Sequence, residues 1–427
     1  MDSYWGLILS TAKANVVYAF VVMLGSLTLV YRKRRLLSVD VARTAESLSY
    51  GDKKATSINK GRNPGEWTPV RFTYPPITAC TLDISEIKPI AYRPFRGGEH
   101  HVTMGIRPMP WNEWIEIDNQ YEAYHRIRAH RIRTRGKGAI CVLPETPGKV
   151  ESGREAAIEL VHEVAEYLSR RHPKTFHVER HSDEGQGYGW EGAAAIKKVT
   201  IVPLGETYEL PLTAPDISTA EKALEVAAHL VQEDLAVMIE GTDGKYYFQA
   251  GVICVPGFWR MKEKIGLPLE EIHLSGNVPR YETKLQKSME RYFQRLGVDK
   301  PVVRENYSIQ VVKKEGEEED IDAEELAWSY STNGGEDEEG SGRHKTFAKA
   351  TESNMRLRVE RQTLRRMGRT GAIVFGIRTY LSKISEMKEE EKEKLGESLE
   401  GWGEDIKEYK GRWRGDWWEM ITKTNKD

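Results

Sequence analysis

Five arginines, one glutamate and one glutamine crowd residues 355–366, Met-Arg-Leu-Arg-Val-Glu-Arg-Gln-Thr-Leu-Arg-Arg, directly ahead of the apolar, strand-like stretch Gly-Ala-Ile-Val-Phe-Gly-Ile that begins at Gly371. A guanidinium is always charged and presents its donors in a planar fork. Arginines at the entrance of a buried strand, with Glu360 beside them, therefore describe a fixed ion-pair frame around an anionic group. The same run also reads as a solvated helix face whose arginines pair with Glu360 and neighbouring acids. Other reactive constellations carry less. His177 and His181 stand four apart, as helical metal ligands do, but Pro173 and the glycines at 185, 187 and 189 favour a loop there. His162-Glu163 opens a zinc-protease pattern whose second histidine is missing, since position 166 is glutamate. No Gly-Lys-Ser/Thr follows the glycines and no Gly-x-Ser-x-Gly occurs, so neither a phosphate loop nor a serine hydrolase is indicated. Read by itself, His273 is an ordinary partly buried histidine.

The elements that must position these residues have legible periods. A helix is expected over residues 151–171, with Ile158, Val161, Ala165 and Leu168 on one face and Pro173 beyond its end. A second opens at Ser218, where Ser-Thr-Ala-Glu is a capping-box pattern, and runs through Leu224, Ala227, Leu230 and Leu235. Residues 246–255, 301–312 and 371–380 are rich in Val, Ile, Tyr and Phe and read as strands. Four prolines between 73 and 97 impose extended segments and turns. Helices between strands of an antiparallel sheet give an α+β globule, without the regular alternation of a doubly wound fold.

Around that globule the chain changes character. Residues 14–31 are eighteen without a charge, a span of roughly 27 Å as a helix, close to the thickness of an endoplasmic-reticulum bilayer. Arg32-Lys33-Arg34-Arg35 follows at once and only Lys13 precedes, so the positive-inside rule places the bulk of the chain in the cytosol. No small-x-small cleavage site follows the run, which argues against a signal peptide. The expected organisation is an anchor at 1–35, a polar linker at 36–66, a globule at 67–312 completed by 346–384, and an acidic insertion at 313–345. A charged helical tail at 385–427 then docks back through Trp402, Trp413, Trp417 and Trp418. The insertion carries twelve acids between positions 315 and 339 and reads as disordered. A net charge of −2 argues against a nucleic-acid binder. Cys80, Cys141 and Cys254 are odd in number and lack C-x-x-C spacing, which fits a reducing compartment and neither a disulfide scaffold nor a zinc site.

Several short motifs recur in a specific order. They are Met104-Gly-Ile106, Trp114-Ile-Glu-Ile-Asp118, Tyr121, Glu233-Asp234-Leu, Phe258-Trp259 and Lys264-Ile-Gly-Leu-Pro-Leu, then Ile272-His273 with Val278-Pro279, Arg304-Glu-Asn-Tyr and the arginine-rich run. Together they resemble the heme-dependent oxidative N-demethylase alpha-subunit-like family over roughly residues 73–410, apart from the acidic insertion. The resemblance implies a PAS-like antiparallel sheet with helices around a heme b pocket. It implies oxidation of an N-methyl group of a small methylated amine by dioxygen, releasing formaldehyde. In that frame His273 offers Nε2 to the heme iron, and Arg304 and Arg361 hold the cofactor and polarise iron-bound oxygen. Glu360 orients a cationic substrate and Gln362 hydrogen-bonds it, while Arg365 and Arg366 are structural. No flavin, iron–sulfur or nicotinamide motif is present, so electrons come from a separate reductase, met at the same membrane face. A heme sensor or carrier without turnover, and a heme-free membrane-tethered scaffold, are the competing readings.

Overall fold

The computed structural model describes residues 62–182, 187–257, 259–312, 327–328, 349–412 and 416–423. The apolar run 14–31, nearly all of the linker, most of the acidic insertion and Trp413 lie outside these residues; among those described, no helix is long and apolar enough to cross a membrane. In chain order the strands are β1 (Arg107–Pro108), β2 (Ile140–Val142), β3 (Phe176–Arg180), β4 (Ile196–Ile201), β5 (Glu206–Glu209), β6 (Glu233–Glu240), β7 (Tyr246–Val252), β8 (Val302–Val311), β9 (Met355–Arg366) and β10 (Ile373–Lys383). The helices are α1 (Tyr121–Arg135), α2 (Arg154–Arg171), α3 (Ile217–Leu230), α4 (Met261–Lys264), α5 (Leu269–Ser275), α6 (Gln286–Arg295), α7 (Glu389–Glu400), α8 (Glu404–Tyr409) and α9 (Trp417–Lys423). Seven strands form one sheet in the order β1-β8-β9-β10-β6-β7-β2, and β3-β4-β5 form a second. Every pairing is antiparallel, so the α+β expectation holds.

The arginine-rich run is not a helix face, nor does it merely precede a strand. It is β9, paired along its length with β8 on one side and β10 on the other. Met355, Leu357 and Val359 give the run an apolar residue at every second place, and two flanking ladders satisfy its backbone, so the period of two wins over the helical reading. All five arginines are buried, none more than 4% exposed. Successive side chains therefore enter two different environments.

On one face Leu357 and Val359 pack with Tyr307, Tyr380, Leu395, Leu399, Trp402, Trp417 and Trp418, so the tail docks on the globule through its tryptophans. Further along the same face lies the core of α2 and α3, where Ile158, Leu160, Val161, Leu224 and Ala227 are fully buried. On the other face Leu364 packs against the layer of α4, α5 and α6, with Ala236, Met238, Trp259, Leu269 and Ile272. Two expected boundaries shift. α3 starts one residue before Ser218, capped by Asp216, whose carboxylate accepts from the Thr219 N–H at 2.8 Å. Leu235 belongs to β6, because the chain turns extended at Val231. His177 stands on strand β3, not in a loop.

Candidate functional site

The register of β8 on β9 sets Arg304 opposite Gln362 and Asn306 opposite Glu360. Directly opposed residues of an antiparallel pair have Cβ atoms about 4.5–5.5 Å apart, so these four make a compact polar square on the face turned to α4–α6. Glu360 is partly held within its own strand: Arg358 Nε lies 3.3 Å from Oε1, and Gln362 Nε2 donates to Oε2 at 3.2 Å. Gly257 passes over this carboxylate with φ of +69°, where an added Cβ would lie 2.9 Å from Glu360 Oε1. Only glycine accepts both the left-handed backbone and that closeness.

Each arginine of β9 donates to a carboxylate, carbonyl or hydroxyl, whereas among the described residues Arg304 has no such partner. Its Nε is buried without a hydrogen-bond partner, and among the described residues no ion pair reaches the guanidinium. Burial pushes its pKa down, opposed by the charges of Glu360 and Glu305 at longer range.

His273 lies on α5, in the layer above. Its Nδ1 donates to the Leu269 carbonyl at 2.7 Å, one helical turn back, which leaves Nε2 as the free acceptor. The ring stacks on Tyr281 at 4.7 Å and meets the edge of Trp259 at 5.8 Å. Burial pushes the imidazole down to about 4, and the positive charges of Arg304 and Lys264 act the same way, so it is neutral at pH 7. Lys264 steadies this helix from beneath by donating to Ser275 Oγ at 2.8 Å and lying over the Trp259 ring. Gly276 makes room for Trp259, since a Cβ there would approach the indole to 2.7 Å. A deeper ion pair positions the loop leading to Trp259: Arg128 binds Asp234 at 2.8 Å, and the Asp234 carboxylate accepts from the Cys254 and Val255 N–H groups.

Four of the five predicted residues, His273, Arg304, Glu360 and Gln362, thus belong to this side of the sheet. Arg361 does not. Standing between Glu360 and Gln362 on a strand, it must point to the opposite face, where it pairs with Glu116 at 3.1 Å and donates to the Glu113 and Trp114 carbonyls. Its expected place beside the cofactor is corrected by the period of two. Arg365 and Arg366 are structural, as expected: Arg365 pairs with Glu163 and with the Tyr74 hydroxyl, and Arg366 donates to the Leu296, Gly371 and Phe293 carbonyls. Glu163, which looked like half of a zinc motif, is the counterion of Arg365.

Two residues of the tail complete the site and were missed in the sequence. α8 carries the chain past the β8 edge, from Trp402 beside Tyr307 to Tyr409 beside Trp259, Glu360 and Arg304. Lys410 follows, its Nζ donating to Asn306 Oδ1 at 2.6 Å and to the Tyr307 carbonyl at 2.7 Å. Burial pushes this lysine down to about 8. Arg280 clamps α8 from outside through a two-bond pair with Asp405. The only sequence signal was a Tyr-Lys pair in a charged tail, which nothing local marks as inward-facing. An open cleft of about 700 Å³, lined by residues of α2 and β3 such as Arg170, His177 and Arg180, shares none of these groups. Among the described residues no three His, Cys, Asp or Glu side chains gather as metal ligands.

A family model described as "Haem-dependent oxidative N-demethylase, alpha subunit-like" matches residues 105–421, from the approach to β1 through α9. The match takes in both layers of the site and the tail that closes it, and the chain belongs to this heme-dependent oxidative N-demethylase alpha-subunit-like family.

Proposed function

We propose that this protein is a heme-dependent oxidoreductase that removes an N-methyl group from a small methylated amine, with His273 as the protein ligand to the iron of heme b. The observation that carries the reading is the pairing of His273 with Arg304. A neutral imidazole fixed through Nδ1 offers a free Nε2, and the half-buried Arg304 guanidinium nearby has no ion pair among the described residues. Those donors fit a group that is both iron-bearing and anionic, and Gly257 leaves Glu360 uncovered by a side chain. A PAS-like reading of the fold is supported by the antiparallel sheet with α4–α6 over one face.

When bound and reduced, heme supplies the iron chemistry that couples dioxygen to oxidation of an N-methyl carbon. Over the whole reaction the amine N–CH3, dioxygen, two electrons and two protons become the N–H amine, formaldehyde and water. The chain's own groups then have assignable tasks. Arg304 would hold an anionic group of the cofactor, and its place largely out of water would make that interaction stronger than in bulk solvent. Glu360 receives the cationic amine nitrogen and orients its methyl group, with Gln362 fixing the carboxylate rotamer. Trp259 and Tyr409 cover the polar square and limit access of water. The two electrons come from a separate reductase, and residues 14–31 hold the protein at the cytosolic face of a membrane, where lateral diffusion brings the two together.

Absorption spectroscopy of the full chain tests the assignment. The purified protein should show a Soret band, His273→Ala should lose or strongly shift it, and a chemically reduced sample should release formaldehyde from methylated amines in air. An unchanged spectrum in His273→Ala would remove His273 from the iron. A heme-loaded protein that releases no formaldehyde from any small methylated amine would leave a sensor or carrier.

A further inference from the structure

We propose that Arg304 and Lys410 form a carboxylate-binding subsite beside Glu360, so that the amine taken by this site is a zwitterion of the N-methyl amino acid class. The inference rests on the demethylase reading for its product but on charge and register for its binding.

The polar square is short of negative charge. Arg358, Arg304 and Lys410 bring three cations to one carboxylate, and that carboxylate is already engaged by Arg358 and Gln362. Lys410 donates two of its three N–H groups, both to neutral oxygens, which leaves one for a ligand. Arg304 has all of its donors to give among the described residues, and its Nε is sealed from water. Glu305, its nearest acidic neighbour in sequence, is taken by Arg107 at 2.7 Å. Burial pushes both Arg304 and Lys410 down, and the charge of Glu360, which they share with Arg358, offsets that only in part.

A simple methylammonium ion would worsen this imbalance, since it gains Glu360 but approaches two uncompensated cations. An amino-acid zwitterion corrects it. Its ammonium and carboxylate are separated by a single carbon, and the square presents complementary groups on neighbouring rungs of one face: Glu360 and Asn306 form one rung, and Arg304 and Gln362 the next. Charge-assisted hydrogen bonds from a guanidinium and an ammonium to one carboxylate are the strong kind, and they carry specificity as well as affinity. A propionate of the cofactor has the same carboxylate chemistry, so the experiment must separate the two sources.

Isothermal titration calorimetry on the full-length protein at pH 7, heme-free and heme-loaded, would compare N-methylglycine with dimethylamine. N-methylglycine should bind about tenfold or more tighter, the scale of one charge-assisted contact. Lys410→Met and Arg304→Met should each reduce that preference to about twofold or less, and Lys410→Arg, which keeps the charge, should retain most of it. Equal or tighter binding of dimethylamine by the wild-type chain would overturn the proposal, as would an intact preference in both methionine variants. Loss of the Soret band in those variants with the preference unchanged would assign the cations to the propionates, and would also overturn it. A chain that takes up no heme yet prefers N-methylglycine would sink the demethylase reading and leave the subsite standing.

Discussion

On the face of the central sheet turned to α2, Arg361 from β9 meets Glu116 and Arg365 meets Glu163, and Arg378 from β10 meets Asp118 at 2.7 Å. On the opposite face, one residue along, Arg304 from β8 meets no carboxylate among the described residues, and Lys410 beside it donates only to neutral oxygens. Both sides carry cations drawn largely out of water, fully buried at Arg361, Arg365 and Arg378 and half-buried at Arg304 and Lys410. The difference is compensation. Taking a guanidinium out of water costs several kcal/mol, which a matched carboxylate with good geometry largely offsets. Where the offset is present, the charge serves the fold; where it is missing, the cost persists until something anionic arrives. The face whose arginines are all paired reads as scaffold, and the face where Arg304 and Lys410 stand unpaired beside the Arg358–Glu360 pair reads as site.

The largest expected effect tests the paired side. Arg365→Ala would leave Glu163 and the Tyr74 hydroxyl buried together without their cation, and losing one partner of such a pair costs about 3–5 kcal/mol. Chemical denaturation of the full chain should show that loss; a change below about 1 kcal/mol would mean that the pair contributes no more than a surface one. Arg304→Met should act with the opposite sign. Removing an uncompensated buried charge at similar length should raise stability by about 1 kcal/mol, the usual trade between stability and function at a site. A destabilisation as large as that of Arg365→Ala would erase the distinction between the faces.

The last effect is a pH dependence, read as a slope of stability and not as its level at pH 7. Lys410 titrates near 8 in the folded protein, below its value of about 10.4 when unfolded. The folded state therefore binds fewer protons between those values, so its stability should rise with pH across that window relative to Lys410→Met. The groups facing Lys410 are Glu360, Arg304 and His100. Bound N-methylglycine should move the onset of this rise to higher pH, and parallel stability curves for wild type and Lys410→Met would show that the lysine is not desolvated.

Much of this was open to reading in the sequence, for local reasons. α2 was legible because its apolar residues recur at helical spacing over five turns, and β7, β8 and β10 because β-branched and aromatic residues cluster between breakers. The ordered motifs brought His273, Arg304, Glu360 and Gln362 together before any coordinates did. Arg361 was misplaced because a run so rich in arginine hides its period, and which side of a strand faces a site is set by register with strands distant in sequence. Tyr409 and Lys410 were invisible for a related reason: a helical tail reveals that it is amphipathic, not which edge of a sheet it will wrap.

The sequence by itself determined the inventory: a histidine near a short helix, an arginine-dense run ahead of an apolar strand, and tryptophans able to dock a tail. The tertiary structure decided the charge balance. Only the pairing of β8 with β9 and the return of α8 show that Arg358, Arg361, Arg365 and Arg378 of the central sheet find carboxylates while, among the described residues, Arg304 and Lys410 form no ion pair. Whether a buried charge is compensated depends on atoms a few ångströms away in space, and those atoms come from segments up to hundreds of residues distant along the chain.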